Sequence, residues 1–456
     1  MIVPLYIGEA SPSLIRGQLI TGFQLMITFG LMCSSIFAGG FSYIDPENVG
    51  WRLMFAFAAI PAIIQLFGFI ILPESPRWLY SHGHFEQTHR VLTQIYNFDE
   101  EWIRHELREL AGDLKIEKKA REKIGDSYVI SRIFTTPHVR KALLLGCALQ
   151  ALQQLSGVNT VLYYTTSIIR SAGVTDSHTT IWISVAITGV NFLATFIPLS
   201  IVERIGRRKL LLTSMAGVVV SLIALGTSFL MINVYSAQVI LPDNITSSSM
   251  LTSRCMFYSN CDYCVTNEDC GFCHIEGRDM GTCLPFDYLQ PEYSVVGDCS
   301  QQSQIAHRWE HNFCKSQQAP LPITIIIIYL IFFAIGYAPI PWVVNAEFYP
   351  LWARSTCVSL STFTNWIFNL FISLTFLSLS QAITKFGAFY FYAGLTTIGF
   401  IIVFVALPET RGYDIEKIET LFMTKKEIQE LENASKKLPD LPRMRTPIRV
   451  KFADII

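Results

Sequence analysis

Apolar residues gather in eight long runs, approximately 17–40, 51–72, 139–172, 179–202, 209–235, 321–346, 355–382 and 386–407, with polar links between them. A helix of about 20 mostly apolar residues crosses the roughly 30 Å of a bilayer's hydrocarbon, so each run predicts a spanning helix. Met1 to Pro12 carry neither a basic leader nor a small-residue cleavage site, and read as the end of a further span. Between the runs, Trp102, Ile103, Leu107, Leu110, Leu114 and Ile116 recur at near-helical spacing in a charged segment that opens with Asp99, Glu100 and Glu101 and closes with Lys118 to Lys123. That pattern predicts an amphipathic helix with charges placed as its dipole prefers.

Polar residues interrupt the runs in an ordered way. Gln150, Gln153 and Gln154 stand at i, i+3 and i+4, and share one helix face, and Gly157 then loosens the helix ahead of Asn159. Asn365 and Asn369 repeat the i, i+4 geometry around Trp366, while Gln24 and Asn191 add single amides to other runs. In hydrocarbon an amide without a partner is costly, so these side chains face protein, water or a solute. Gluing of neighbouring helices is the plainer role for any one of them. The set has aromatics alongside, Tyr163, Tyr164, Trp342 and Trp366, which favours a polar cavity where ring faces meet the C–H faces of a hydroxylated ring. Gly336, Pro339 and Pro341 in GYAPIPW must break their helix near it.

Composition agrees with the bilayer as solvent: 51% of the residues are hydrophobic and 16% charged. A formal net charge of −1 gives no argument for nucleic acid. Basic residues crowd 74–141, 204–209, position 354 and the tail from Arg411, always an even number of spans apart, which places those loops in the cytoplasm. The segment 236–319 falls on the other side. It carries the sequon Asn244-Ile245-Thr246 and eight cysteines, Cys255, Cys261, Cys264, Cys270, Cys273, Cys283, Cys299 and Cys314, so disulfides are expected there in preference to zinc, with the pairing left open. In the tail, Thr424 followed by Glu427 predicts a short helix. The nine histidines show no metal spacing with nearby acids, and no nucleophile–base arrangement is visible, so no cofactor, metal or enzymatic activity is expected.

PESPRWLY (Pro73 to Tyr80), QQLSGVN (Gln153 to Asn159), ERIGRR (Glu203 to Arg208), PIPW (Pro339 to Trp342) and PETRG (Pro408 to Gly412) together resemble the sugar-porter family of the major facilitator superfamily. The resemblance covers nearly everything outside 236–319, and implies an all-α membrane fold and alternating access. It implies substrate contacts at Gln24, Gln153, Gln154, Asn159, Asn191, Trp342, Asn365, Trp366 and Asn369, with Tyr163 and Tyr164 at an outer gate. It also implies inner-gate ion pairs among Glu9, Arg16, Glu74, Arg77, Glu203, Arg204, Arg207, Glu347, Arg354 and Glu409. The long cysteine-rich loop, followed by WVVNAEFYPLWARST (Trp342 to Thr356), is similar to the proton-linked myo-inositol branch of the family, and NCDYCVTNEDCGFC (Asn260 to Cys273) resembles the plexin-semaphorin-integrin module.

Aligned by these motifs the chain begins inside the family's fourth span, so roughly three and a half spans are expected to be absent. The expected divisions are 1–72, the remnant of an N-terminal half; 73–138, a cytoplasmic helical linker; 139–235 with 320–407, a six-helix half; 236–319, the disulfide-rich insertion; and 408–456, a tail. No Asp or Glu lies deep in a run, so a proton as coupling ion rests on the resemblance alone. The competing expectations are a facilitative hexose carrier, or a non-transporting surface protein whose loop binds an extracellular partner.

Overall fold

A computed structural model of the chain describes residues 2–428 except 13–15, 125–128, 175, 241–254, 256, 276–279, 289, 291, 302–306, 312, 315, 317, 411–417 and 425–427. The chain opens with α1 (Ile2–Ala10) and α2 (Arg16–Phe41), followed by α3 (Trp51–Phe57) and α4 (Ala59–Ile71). Four polar helices come next, α5 (Pro76–Ser81), α6 (Phe85–Ile95), α7 (Glu100–Ile124) and α8 (Val129–Thr135). The predicted amphipathic segment is α7: Asp99 Oδ1 caps it by accepting from the backbone N–H of Glu101 (3.0 Å) and Trp102 (3.2 Å). Its Ile103 and Leu110 bury against Leu92 of α6.

Among the described residues, seven helical stretches are long and apolar enough to cross a membrane: Gly22–Phe41, Asn48–Ser81, Ser177–Val202, Arg207–Val234, Pro320–Glu347, Trp352–Ile383 and Lys385–Ala406. They answer seven of the eight predicted runs. The eighth, 139–172, is three helices, α9 (Pro137–Leu155), α10 (Val158–Tyr163) and α11 (Thr165–Ser171). Gly157 makes the first break with φ 79°, a left-handed turn, and a Cβ there would meet the Tyr392 ring at 3.0 Å. After α12 (Ser177–Ala194) and α13 (Phe196–Ile205), the long α14 (Arg207–Val234) leads to the cysteine-rich module.

The module holds α15 (Cys261–Thr266) and a four-stranded sheet in the order β1-β3-β2-β4, with β1 (Gln238–Val239) parallel to β3 (Met280–Pro285), and β2 (Cys270–Ile275) antiparallel to both β3 and β4 (His307–Glu310). All eight cysteines pair, as 255–270, 261–314, 264–283 and 273–299. Phe272 is fully buried among them. So small a unit cannot bury enough apolar area, and its bridges do the work of a larger core.

The chain returns through α16 (Pro320–Phe332), a π-helical turn at Phe333–Tyr337, α17 (Ile340–Glu347), α18 (Leu351–Ile383) and α19 (Lys385–Ala406). One buried apolar core runs from Ile133 through α9 to α19 and reaches Ile418. By contrast α3 and α4 have no buried residue, and Phe55 (76%) and Ile71 (82%) stand bare.

Candidate functional site

The helix over Pro320–Glu347 breaks where its sequence requires. In a continuous helix the Tyr337 carbonyl would accept from residue 341, which is Pro341 and has no N–H. The N–H of Trp342 bonds Pro339 O (3.2 Å) instead of the Ala338 carbonyl. Gln153 takes up both freed carbonyls: its Nε2 donates to Tyr337 O (2.8 Å) and Ala338 O (2.9 Å). Ser214 of α14 mends the π-helical turn, donating to Phe332 O (2.6 Å) and accepting from the N–H of Tyr337 (2.8 Å). The carbonyls freed ahead of Trp342 and the polar atoms of the π-helical turn are thus satisfied by side chains of neighbouring helices.

Around Gln153 the amides form one cluster. Asn365 Nδ2 donates to Gln150 Oε1 (2.7 Å) and Gln153 Oε1 (3.1 Å), and its Oδ1 accepts from Gln154 Nε2 (3.0 Å). Asn159 Nδ2 donates to Gln154 Oε1. The side-chain nitrogen of Gln150 is buried with no hydrogen-bond partner. Gln150, Gln153, Gln154 and Asn365 are all nearly inaccessible. The three glutamines meet Asn365 because their shared face of α9 packs on α18. Such a group can exchange amide–amide bonds for bonds to a hydroxyl, which also both donates and accepts.

Among the described residues, the remaining predicted contacts are not joined to this cluster by hydrogen bonds. Asn369 is buried one turn beyond Asn365, Asn191 is buried on α12, Trp342 is half-buried on α17, and Gln24 is half-buried on α2. Trp366 points away: it is 58% exposed, because consecutive residues of a helix face directions about 100° apart. Tyr163 is likewise exposed, at 53%. Tyr164 sits at the second break of the 139–172 run, its hydroxyl donating to Ser373 O (2.8 Å) and its ring 5.0 Å from that of Phe376. Asn345 and Tyr349, which sequence reasoning passed over, extend the buried polar region: Tyr349 donates to Asn345 Oδ1 (2.6 Å), and Asn345 donates to Pro341 O (2.8 Å). The signal was an amide and a hydroxyl just after a proline pair.

At the end of α14 away from the module, three predicted gate residues come together. Arg207 Nη2 pairs with Glu347 Oε1 at 3.1 Å, and Glu347 Oε2 accepts from Thr410 Oγ1 (2.9 Å). Glu409 accepts from the backbone N–H of Arg207 (3.0 Å) and Arg208 (3.2 Å), a carboxylate seated on a helix N-terminus. Gly206, at φ 97°, admits it, since a Cβ there would lie 2.8 Å from Glu409 Oε2. Elsewhere Glu9 Oε2 accepts from Ser75 Oγ (2.7 Å) and Arg354 Nε donates to Tyr349 O (3.3 Å). Glu74 and Arg204 are exposed, and Arg77 is half-buried. The side chains of Arg16 and Glu203, the sequon at Asn244 and most of the tail lie outside the described residues. One expectation is corrected: on α7, His105, Glu106 and Glu109 bring ligand-type atoms within 4.8 Å of one another, so a histidine does stand beside acids. Helical spacing places them on one half-exposed face, where Tyr96 already donates to Glu106 (2.9 Å).

Helices broken inside an apolar bundle, a carboxamide cluster at the break and charge pairs at one end define a membrane carrier of the major facilitator type. The fold is that of the proton:xylose symporter XylE solved with 6-bromo-6-deoxy-D-glucose: TM-score 0.63 at 21% identity, over 93% of this chain and 70% of that one. The chain belongs to the sugar (and other) transporter family, whose model matches residues 1–259 and 301–422. It is therefore a multi-pass membrane protein and not an enzyme. It is 49% identical to the proton myo-inositol cotransporter hmit-1.1 of Caenorhabditis elegans, over 99% of this chain and 76% of the relative. Against the proton myo-inositol cotransporter of Homo sapiens it is 40% identical, over 92% of this chain and 65% of that protein. Nearly the whole of this chain aligns, while 76% of the first relative and 65% of the second have a counterpart in it.

Proposed function

We propose that the protein is a secondary active transporter that moves myo-inositol, or a closely related polyol, together with protons by alternating access, at the plasma membrane. The carrying observation is the carboxamide cluster of Gln150, Gln153, Gln154, Asn159 and Asn365, held on the carbonyls of a broken helix. Broken helices beside a central site are the recurring device of secondary transporters. Asn369, Asn191, Gln24 and Trp342 would complete the solute's surroundings. Tyr164 on Phe376 forms the outer gate, and Arg207, Glu347 and Glu409 form the inner one, which rocking breaks and remakes. In this reading the module end is extracellular, α5–α8 form the cytoplasmic linker, and α9–α14 with α16–α19 form one helical half. Polyol and proton follow from the relatives at 40–49% identity, which are proton myo-inositol cotransporters. The partner expected for the module has a first occupant in the bundle itself, where Asp262 Oδ1 meets Lys385 Nζ at 2.9 Å.

The test is uptake of labelled myo-inositol into cells or liposomes holding the full chain, at acidic and neutral external pH, with glucose as competitor. Uptake that rises with external acidity and resists glucose is expected. Uptake that ignores the proton gradient, or yields to glucose, overturns the assignment.

A further inference from the structure

Between the module and the helix ends lies a cavity of about 610 Å³, within the roughly 300–1,000 Å³ of small-molecule sites. Its floor is three rings of the bundle, Phe229, Phe376 and Phe389, the first and last stacked at 5.4 Å. Its roof is Phe286, Tyr288 and His311 of the module, with the Phe286 and His311 rings 5.1 Å apart. Charge on the walls is balanced. Arg170, Lys385 and Glu268 line it, and the Lys385 charge is met by Asp262, which lies outside the lining, at 2.9 Å. Glu268 accepts from Gln381 (2.6 Å), and Arg170 donates to Ser177 (2.9 Å).

With Lys385 neutralised, such a lining offers little net field to an ion, while aromatic rings above and below and hydroxyl, amide and guanidinium groups between them suit a neutral molecule with apolar faces and a hydroxyl rim. Burial lowers the pKa of His311, so the roof adds no charge near neutrality. The cavity also touches the moving parts of the proposed carrier. Its wall includes Ser167 and Arg170 of α11, the helix that starts directly after Tyr164, and its floor ring Phe376 is the one on which Tyr164 packs, at 5.0 Å.

We infer that this cavity is a second binding site, for a neutral polyhydroxylated ring, built jointly by the module and the bundle ahead of the Tyr164 gate. The identity of the ligand rests on the transport reading; the site itself rests on the cavity and its lining. The module then has a role in capture, presenting solute to the segment that opens the central path.

Equilibrium binding of labelled myo-inositol to the purified full chain in lipid nanodiscs tests this. Two sites per chain are expected. Phe286→Ala with Tyr288→Ala removes the roof and reduces the stoichiometry to one, and Ser167→Trp, which fills the cavity from the opposite wall and leaves the module untouched, does the same. Asn365→Ala removes the other site. A single wild-type site that survives both cavity variants and vanishes in Asn365→Ala overturns the inference and leaves the transport reading standing. A single site that vanishes in the cavity variants and ignores Asn365→Ala supports the inference and overturns the central assignment. No binding to any form overturns both.

Discussion

The bundle and the module it carries solve the same problem with opposite materials. The bundle puts the carboxamides Gln150, Gln153, Gln154 and Asn365 in the interior and leaves apolar side chains such as Ile71 and Phe55 outside. That inversion is stable only where the surroundings are hydrocarbon and each buried amide finds a partner. The module lacks the size for an apolar core, and its interior is largely sulfur: six of the eight buried residues in its main cluster are cysteines, with Phe272 and Val265 filling between them. The bundle's centre is therefore held by exchangeable bonds and the module's by covalent ones. Exchangeable bonds suit a site that must release what it holds, and covalent ones suit a cap that keeps its shape while the helices beneath it move.

The largest expected effect strikes the covalent side. Cys261→Ser with Cys314→Ser opens the bridge of longest separation, 53 residues, and by loop-closure entropy costs the module about 4 kcal/mol. Limited proteolysis of the full chain should then cut inside 255–314 while the helical bundle stays intact. A protected module in that variant breaks the comparison. Opening the 15-residue bridge Cys255–Cys270 should cost less, about 3 kcal/mol.

Asn365→Ala strikes the exchangeable side. It strips partners from Gln150 Oε1, Gln153 Oε1 and Gln154 Nε2 at once. Buried groups left unsatisfied cost about 1–3 kcal/mol each in water-soluble proteins, and interhelical bonds in membranes average nearer 0.6 kcal/mol. The lower figure governs stability here, because the freed glutamines can pair among themselves. Melting should therefore shift little, while uptake of myo-inositol falls by an order of magnitude or more at unchanged surface expression. A large loss of melting temperature would make the cluster structural glue.

How much of this was legible follows the range of the interactions. Local patterns were: the apolar runs, the α7 helix with its Asp99 cap, and the break at Gly157 are all written in neighbouring residues. The stripe of three glutamines was legible as a face, but not what the face would meet, since Gln153 bonds carbonyls 184 and 185 positions away. The Glu409 cap on α14 bridges more than 200 residues, and the disulfide pairing depends on the same kind of folded proximity. Trp366 teaches the opposite lesson. Its neighbour Asn365 belongs to the cluster, and helical geometry alone turns the next residue to another face.

The seam between the two regions offers a finer test. Asp262 holds Lys385 at 2.9 Å and Asn233 Nδ2 at 2.9 Å, tying α15 to the ends of α19 and α14. Lys385→Met leaves Asp262 with one partner at a half-buried seam, a loss between the roughly 1 kcal/mol of an exposed pair and the roughly 3 kcal/mol of a buried one. Hydrogen exchange should quicken in α15 and in the first turn of α19, and stay unchanged in β2 and β3 behind their disulfides. Uniform quickening across the module would mean that docking, and not the disulfides, holds it together.

The smallest effect is one of pH. Burial lowers the pKa of His311 below the ordinary value of 6.5, so the folded module disfavours the protonated ring. Above 6.5 the ring is neutral folded and unfolded alike, and the module keeps its full stability. As pH falls from there toward the lowered value, the unfolded chain takes up the proton first, and stability declines until the folded ring protonates as well. His311→Phe should remove that decline from a melting series between pH 7.5 and about 5, a span that brackets the histidine range. A slope that persists unchanged would assign it to another group, and would leave the roof of the cavity insensitive to the acidity that the proposed symport would exploit.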